Sequence, residues 1–314
     1  MTDPDSATAT GQPASQDMPV LMSLPRVRRR SIGRIVSGAV VLALLGLLAL
    51  AFANAKISWG VVNRYLLTLQ MLQGAERTMI LTVGSMALAL VLGAIGGICR
   101  LSDNPVVSGA AWLYVWAFRG TPVLVQLLMW FNLALVFPRL AIPGVFHVSM
   151  NTLITPAVAA ILGFGVNEGS YVAEVFRGGM LAVGEGQKEA AAALGMSHFH
   201  TNRRVILPQA VRIILPTLGN ETIGMLKLTS LASIVSFYEL TETAEQIYYV
   251  NARVMELLIV AALWYLVLTS IFSIGQYYLE RHLGRSLQRM RPPTLLERGI
   301  RGALDRISAA RRTA

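Results

Sequence analysis

The sequence predicts an all-α, polytopic membrane protein with about six transmembrane helices, and three observations predict it. Of its 314 residues 54% are apolar and only 14% charged, a balance unlike that of a soluble domain of this length. The apolar residues gather into runs long enough to cross the hydrocarbon core as helices. Lys and Arg concentrate at alternate ends of those runs, which assigns one set of loops to the cytoplasm. The formal charge of +10 therefore reads as membrane flanks and argues against a nucleic-acid partner.

Residues 1–25, rich in Asp, Ser, Thr, Ala, Gln and Pro, read as a disordered cytoplasmic tail. Residues 26–73 read as an N-terminal membrane helix with an external connector. Arg26, Arg28, Arg29, Arg30 and Arg34 precede an apolar run from Ile35 to Ala55. Its small-residue end, Ala51 to Ala55, also fits a cleaved secretory signal. The run is long enough to span and more spans follow, so an uncleaved helix is the expectation. Either way residue 56 lies outside the cytoplasm.

Residues 74–285 hold the other spans. The second, Gly74 to Ile98, carries Gly93-x-x-x-Gly97, a seam for close helix packing whose partner the sequence does not name. Val106 to Phe118, with Trp112, Tyr114 and Trp116, reads as an interfacial helix, and Gly120 to Pro138 as the third span. Arg139 to Asn151, with Pro143-Gly144, reads as an external loop. The fourth span, Thr152 to Phe176, carries Asn167, Glu168, Ser170 and Glu174 among Gly163, Gly165 and Gly169. Those glycines are expected to break or narrow the helix. Cytoplasmic residues 177–207 precede a fifth span from Pro208 to Phe237, an acidic external stretch from Tyr238 to Arg253, and a sixth span from Val254 to Leu279. Residues 286–314 read as a basic cytoplasmic tail that includes an amphipathic surface helix.

The polar island Glu189–Pro208, inside a cytoplasmic loop at 185–208, stands out among these runs. Gln187 to Leu194 is Ala-rich and strongly helix-forming. Gly195 suits a left-handed helix stop. Pro208 suits the first turn of the next helix. A helix covered by methyl groups, with Glu189, Arg203 and Arg204 around it, is suited to another protein's groove.

Glu189-Ala190-Ala191, three residues, Gly195, nine residues, then Val205-x-Leu207-Pro208 resembles the EAA loop of ATP-binding-cassette importer membrane subunits. With the flanks Tyr171–Gly179, Gly186-Gln187, Phe118–Gln126, Asn220-Glu221 and Leu226–Leu231, the chain resembles the permeases for polar amino acids in that superfamily. The resemblance implies a five-helix permease core plus one extra N-terminal helix, in a bacterial inner membrane with both termini cytoplasmic. It implies that Gly186, Gln187, Glu189, Ala190, Ala191, Gly195, Leu207 and Pro208 couple the chain to ATPase subunits that bind ATP and Mg. It also implies an extracytoplasmic amino-acid-binding protein and a second permease subunit, identical or paralogous, among membrane lipids. One departure is Leu228, where the family commonly has Asp or another polar group.

Ionisable residues inside spans are costly facing lipid, so they mark a pathway. The candidates are Glu168, Asn220, Glu221, Lys227, Thr229 and Ser230, with Glu168 suited to an ammonium and Lys227 to a carboxylate. Glu174 and Arg177, three apart, are expected to pair. Neither a phosphate loop nor a Gly-Lys dipeptide occurs, so the chain supplies no ATP site of that kind. Cys99 is the only cysteine, His198 and His200 have no ligand partners nearby, and neither a catalytic site nor a metal site is expected. An autonomous channel or secondary transporter, or a membrane scaffold or sensor, is the alternative reading. No inverted repeat supports the former.

Overall fold

The computed structural model describes residues 32–142 and 146–283. The tails expected at 1–25 and 286–314, Arg26 to Arg30 and Pro143-Gly144 lie outside them. The chain divides between Ile57 and Ser58 into two compact units. In the first, α1 (Ile32–Ala53) is an unbroken apolar helix of 22 residues, about 33 Å long and able to cross a bilayer.

The second unit is built on two long helices. After α2 (Trp59–Leu66) comes α3 (Leu69–Arg100), which starts five residues before the expected Gly74. It packs along α8 (Pro156–Leu181), reached through α4 (Pro105–Gly120), α5 (Val123–Phe131), α6 (Leu133–Val136), a two-stranded antiparallel hairpin and α7 (Met150–Leu153). The hairpin pairs β1 (Arg139–Ile142) with β2 (Phe146–Ser149), structure within what the sequence presents as a plain loop.

Glycine explains how α3 and α8 approach. A Cβ at Gly93 would collide with Val172, and one at Gly97 would lie 2.6 Å from Phe176 Cβ and 2.9 Å from the Ala173 carbonyl. The partner of the Gly93-x-x-x-Gly97 seam is therefore α8. The glycines of α8 serve the same end: Gly163 meets Leu127, Gly165 meets Leu88, Gly169 meets Tyr114 and Gly179 meets Ile214. This corrects the expectation that they break the helix, because α8 runs uninterrupted for 26 residues.

A discontinuity lies earlier in the chain, between α4 and α5 at Thr121-Pro122. Thr121 and Pro122 are both extended, and Pro122 has no N–H to continue a helix. α4 packs on α3 and α8, and Tyr114 donates its hydroxyl to the Val166 carbonyl at 2.7 Å.

Beyond α8, α9 (Glu185–Ala193), α10 (His198–Thr201) and a π-turn (Asn202–Ile206) lead into α11 (Leu207–Leu228). A 3-10 segment (Thr229–Val235) ends at Ser236 in the left-handed region, and Glu239 caps α12 (Leu240–Asn251) by accepting from the amides of Thr241 and Glu242. The last helix among the described residues, α13 (Val254–Leu283), is 30 residues long. It donates from Gln276 Nε2 to the Pro216 carbonyl at 2.7 Å, and from Trp264 Nε1 to the Leu66 carbonyl at 2.7 Å.

By length and composition, three helices among the described residues can cross a membrane: Val36–Ala53, Leu69–Arg100 and Val254–Leu283. A fourth is counted if the pair from His198 to Asn251, bent by 45°, is one span. The remaining two expected spans are Thr152 to Phe176, which falls mostly in α8, long but carrying Glu168, Glu174 and Arg177, and Gly120 to Pro138, which is split into α5 and α6.

Replacing Gly93 or Gly97 by Leu overpacks the α3–α8 seam, at a cost of about 1–3 kcal/mol or more. Thermal unfolding in detergent should fall for both, while Gly109→Ala, where a Cβ meets nothing within 4 Å, should leave it nearly unchanged.

Candidate functional site

Two features concentrate the polar chemistry of the second unit. The first is a helical hook joining α8 to α11. Its short helix α9 ends in a Schellman closure: Met196 N–H donates to the Ala191 carbonyl at 3.0 Å, and Gly195 N–H to the Ala192 carbonyl at 2.9 Å. Gly195 has φ +71°, a conformation that costs an L side chain about 1–2 kcal/mol. Ser197 then caps α10 by accepting from His200 N–H. Ala191 and Ile206 turn inward, while Glu189, Ala190, Leu207 and Pro208 are exposed. Gln209 Nε2 reaches Gln187 Oε1 at 3.4 Å, which ties α9 to the first turn of α11. Leu194 is 81% exposed and Phe199 66%, two apolar side chains projecting from the hook beside Arg203 and Arg204.

The second feature is a polar seam among α4, α5, α8 and α11. Gln126 Nε2 donates to the carbonyls of Phe118 (3.0 Å) and Thr121 (3.1 Å) and to Thr121 Oγ1 (2.6 Å). Asn167 Nδ2 donates to the Phe118 carbonyl at 2.8 Å and to Gln126 Oε1 at 3.2 Å. These bonds satisfy backbone groups at the α4–α5 break and staple it to α8. Next to Asn167, Glu168 is buried, and Glu221 on α11 is a neighbouring acidic group. Its Oε1 has no protein partner among the described residues. Neighbouring carboxyl groups repel when both are ionised, so a proton or a cation between them is favoured.

Residues 89–285, well over half of the chain, match the family described as binding-protein-dependent transport system inner membrane component. The chain belongs to this family. Among its relatives is the arginine transport system permease protein ArgU of Corynebacterium glutamicum, 43% identical over 263 residues, 83% of this chain and 83% of that protein. The glutamine transport system permease protein GlnP of Escherichia coli K12 is 34% identical over 213 residues, 68% of this chain and 92% of that one. A solved amino acid ABC transporter with histidines superposes with a TM-score of 0.64 at 34% identity, covering 73% of this chain and all of the other. The protein is thus a multi-pass inner-membrane transport component.

In this transport component the hook gathers all the coupling residues expected from the sequence. Gly186 is among them, although open space surrounds it. Leu194 and Phe199 are additions, visible in the sequence only as apolar residues stranded in a polar stretch. The pathway candidates are more scattered. Glu168 and Glu221 meet, whereas Asn220 and Lys227 are exposed, and Lys227 makes no ion pair among the described residues. Thr229 and Ser230 turn their hydroxyls to the carbonyls of Leu226 and Lys227, which closes the end of α11 and leaves neither donor free. The expected Glu174–Arg177 pair forms at 2.8 Å, and Arg100 of α3 adds a second guanidinium at 3.3 Å. Arg119 lies over the Tyr171 ring, 4.7 Å from its centroid. Among the described residues no group of His, Cys, Asp and Glu is arranged to hold a metal.

The Schellman closure predicts the behaviour of Gly195→Ala. A strain of about 1–2 kcal/mol should speed amide exchange at Met196 by roughly 5- to 30-fold and leave exchange within α8 unchanged. Hydrogen–deuterium exchange on the purified protein is the measurement.

Proposed function

We propose that this chain is the permease subunit of an ATP-binding-cassette importer for polar amino acids, and that the Glu168–Glu221 pair receives the substrate's cationic end. The observation that carries the substrate assignment is this meeting of two carboxyl groups inside the bundle, with Glu168 Oε1 unpartnered among the described residues. An ammonium or guanidinium group could lie between them and hydrogen-bond to both, the pair keeping one proton to balance the charge. The likeness to an arginine permease protein and to a solved amino acid transporter supports an amino-acid substrate.

The hook would face the cytoplasm, with both termini on that side. The gathering of Arg100, Arg177, Lys188, Arg203 and Arg204 at its end of the bundle supports this orientation. A separate ATPase subunit, binding ATP and Mg, would dock on the hook. A binding protein would deliver the substrate from the other side, and a second permease subunit would complete the pathway. The hook is continuous with α8 and α11, the helices that carry Glu168 and Glu221. Displacing it would move the two carboxyl groups relative to each other, which is how ATP-driven closure could alternate their access.

Two outcomes test the proposal in vesicles containing the complete transporter and a saturating binding protein. The double variant Glu189→Lys, Gly195→Pro should lose substrate-stimulated ATP hydrolysis and uptake at normal abundance, while the binding protein keeps its ligand. Normal uptake would refute docking on the hook. Glu168→Gln should raise the half-saturating substrate concentration roughly ten- to hundredfold, the value of a charge-assisted contact of about 1.5–3 kcal/mol. A purely structural Glu168 would lower abundance and leave half-saturation unchanged.

A further inference from the structure

At the end of the second unit away from the hook lies a cavity of about 350 Å³ between the start of α3 and α12. That size falls in the range of roughly 300–1,000 Å³ typical of small-molecule sites. Its wall includes Arg77, three glutamines (Gln70, Gln73 and Gln246) and Asn251. No carboxylate is among the lining residues. The nearest acid in the hydrogen-bond network, Glu242, already accepts from Gln246 Nε2 at 2.7 Å. Thr243, 8% exposed, is a further wall residue, and its hydroxyl has no partner among the described residues. Arg77 spends one nitrogen on the Tyr238 carbonyl at 3.3 Å, which holds the guanidinium at the rim with donors to spare.

Arg77 and Arg100 are 23 residues apart on one continuous helix, about 34 Å at the helical rise. That is close to one hydrocarbon thickness of about 30 Å. Arg100 belongs to the cluster near the hook, so Arg77 and its cavity open at the opposite membrane face.

One guanidinium among primary amides, without a competing acid, is a receptor for a carboxylate. We infer that this cavity is an outer receiving site for the α-carboxylate of an amino acid, occupied before the cationic end reaches Glu168 and Glu221. The inference rests on the proposed amino-acid substrate and orientation. It adds a second contact, of opposite charge preference, at the other end of the path. Asn251 is engaged with Tyr65 and the Arg253 amide and Gln246 with Glu242, so Gln70 and Gln73 supply the amide hydrogen bonds, which select no side chain and read the backbone part that all amino acids share.

The test uses the full chain with its ATPase partner in nanodiscs. Binding of L-arginine and L-glutamine is measured by saturation-transfer NMR, each against the amine that remains when its carboxyl group is absent. Wild type should prefer the amino acid by about tenfold. Arg77→Met should abolish the preference. Gln73→Leu, whose wild-type side chain makes no hydrogen bond among the described residues, should weaken it severalfold without disturbing the Arg77–Tyr238 contact, and it decides the matter if Arg77→Met does not assemble. An unchanged preference in the variants, or none in wild type, overturns the inference. So does a loss of binding-protein affinity with small-molecule binding intact, which would make the cavity a protein-docking face. Uptake persisting with an unaltered preference sinks this inference alone. Failure of the wild-type complex to take up any amino acid sinks the reading on which it rests.

Discussion

A buried carboxyl group on a helix surrounded by other helices sets the conditions that the rest of this bundle meets. Glu168 is costly to hold among apolar side chains, and α8 can hold it only if neighbours exclude lipid on every side. The helix achieves this by being thin. Gly163, Gly165, Gly169 and Gly179 each admit a side chain from a different neighbouring helix, and Gly93 and Gly97 bring α3 against it. Close packing then leaves room to satisfy nearby polar groups: Asn167 and Gln126 take up the carbonyls freed at the α4–α5 break. Glu168 Oε1 is among the few buried side-chain atoms without a protein partner among the described residues, and such an unmet demand is what a ligand in the proposed site would meet.

In the proposed function the hook would be the mechanical complement of that site. Its geometry is local and stiff: a Schellman closure at Gly195, a capped turn at Ser197, and a bond from Gln187 to Gln209 that closes the loop onto α11. A stiff loop transmits a displacement, whereas a slack one absorbs it. α8 and α11 continue from the hook to the two carboxyl groups, α11 with Pro216 inside it, so the surface that a partner would grip and the groups that would grip the substrate belong to the same two helices.

How much of this was legible in the sequence depends on the range of the interaction. The alanine run, the stop at Gly195 and the Pro208 start are local signals, and the hook follows them. Glu174 and Arg177 are three apart, so their pairing could be expected; Arg100 lies 74 residues from Glu174 and could not be. The α8 glycines looked like helix breakers because their partners, Leu127, Leu88, Tyr114 and Ile214, are distant in the chain. Thr121-Pro122 marks the true discontinuity, but its residues also suit the start of a new span. Glu221 was visible as an ionisable residue in a span. That it faces Glu168, and that Lys227 remains outside the seam, depends on the rotation of α11 about its axis, which the pattern of polar residues leaves open.

Whether Glu168 and Glu221 form a single cation site is tested most directly by a double-mutant cycle. Half-saturation of uptake is measured for wild type, Glu168→Gln, Glu221→Gln and the double variant in the same vesicles. One shared site predicts that each single variant weakens apparent affinity and that the double variant is little worse than either, a coupling of at least about 1 kcal/mol. Strictly additive losses, or a Glu221→Gln protein indistinguishable from wild type, would contradict it.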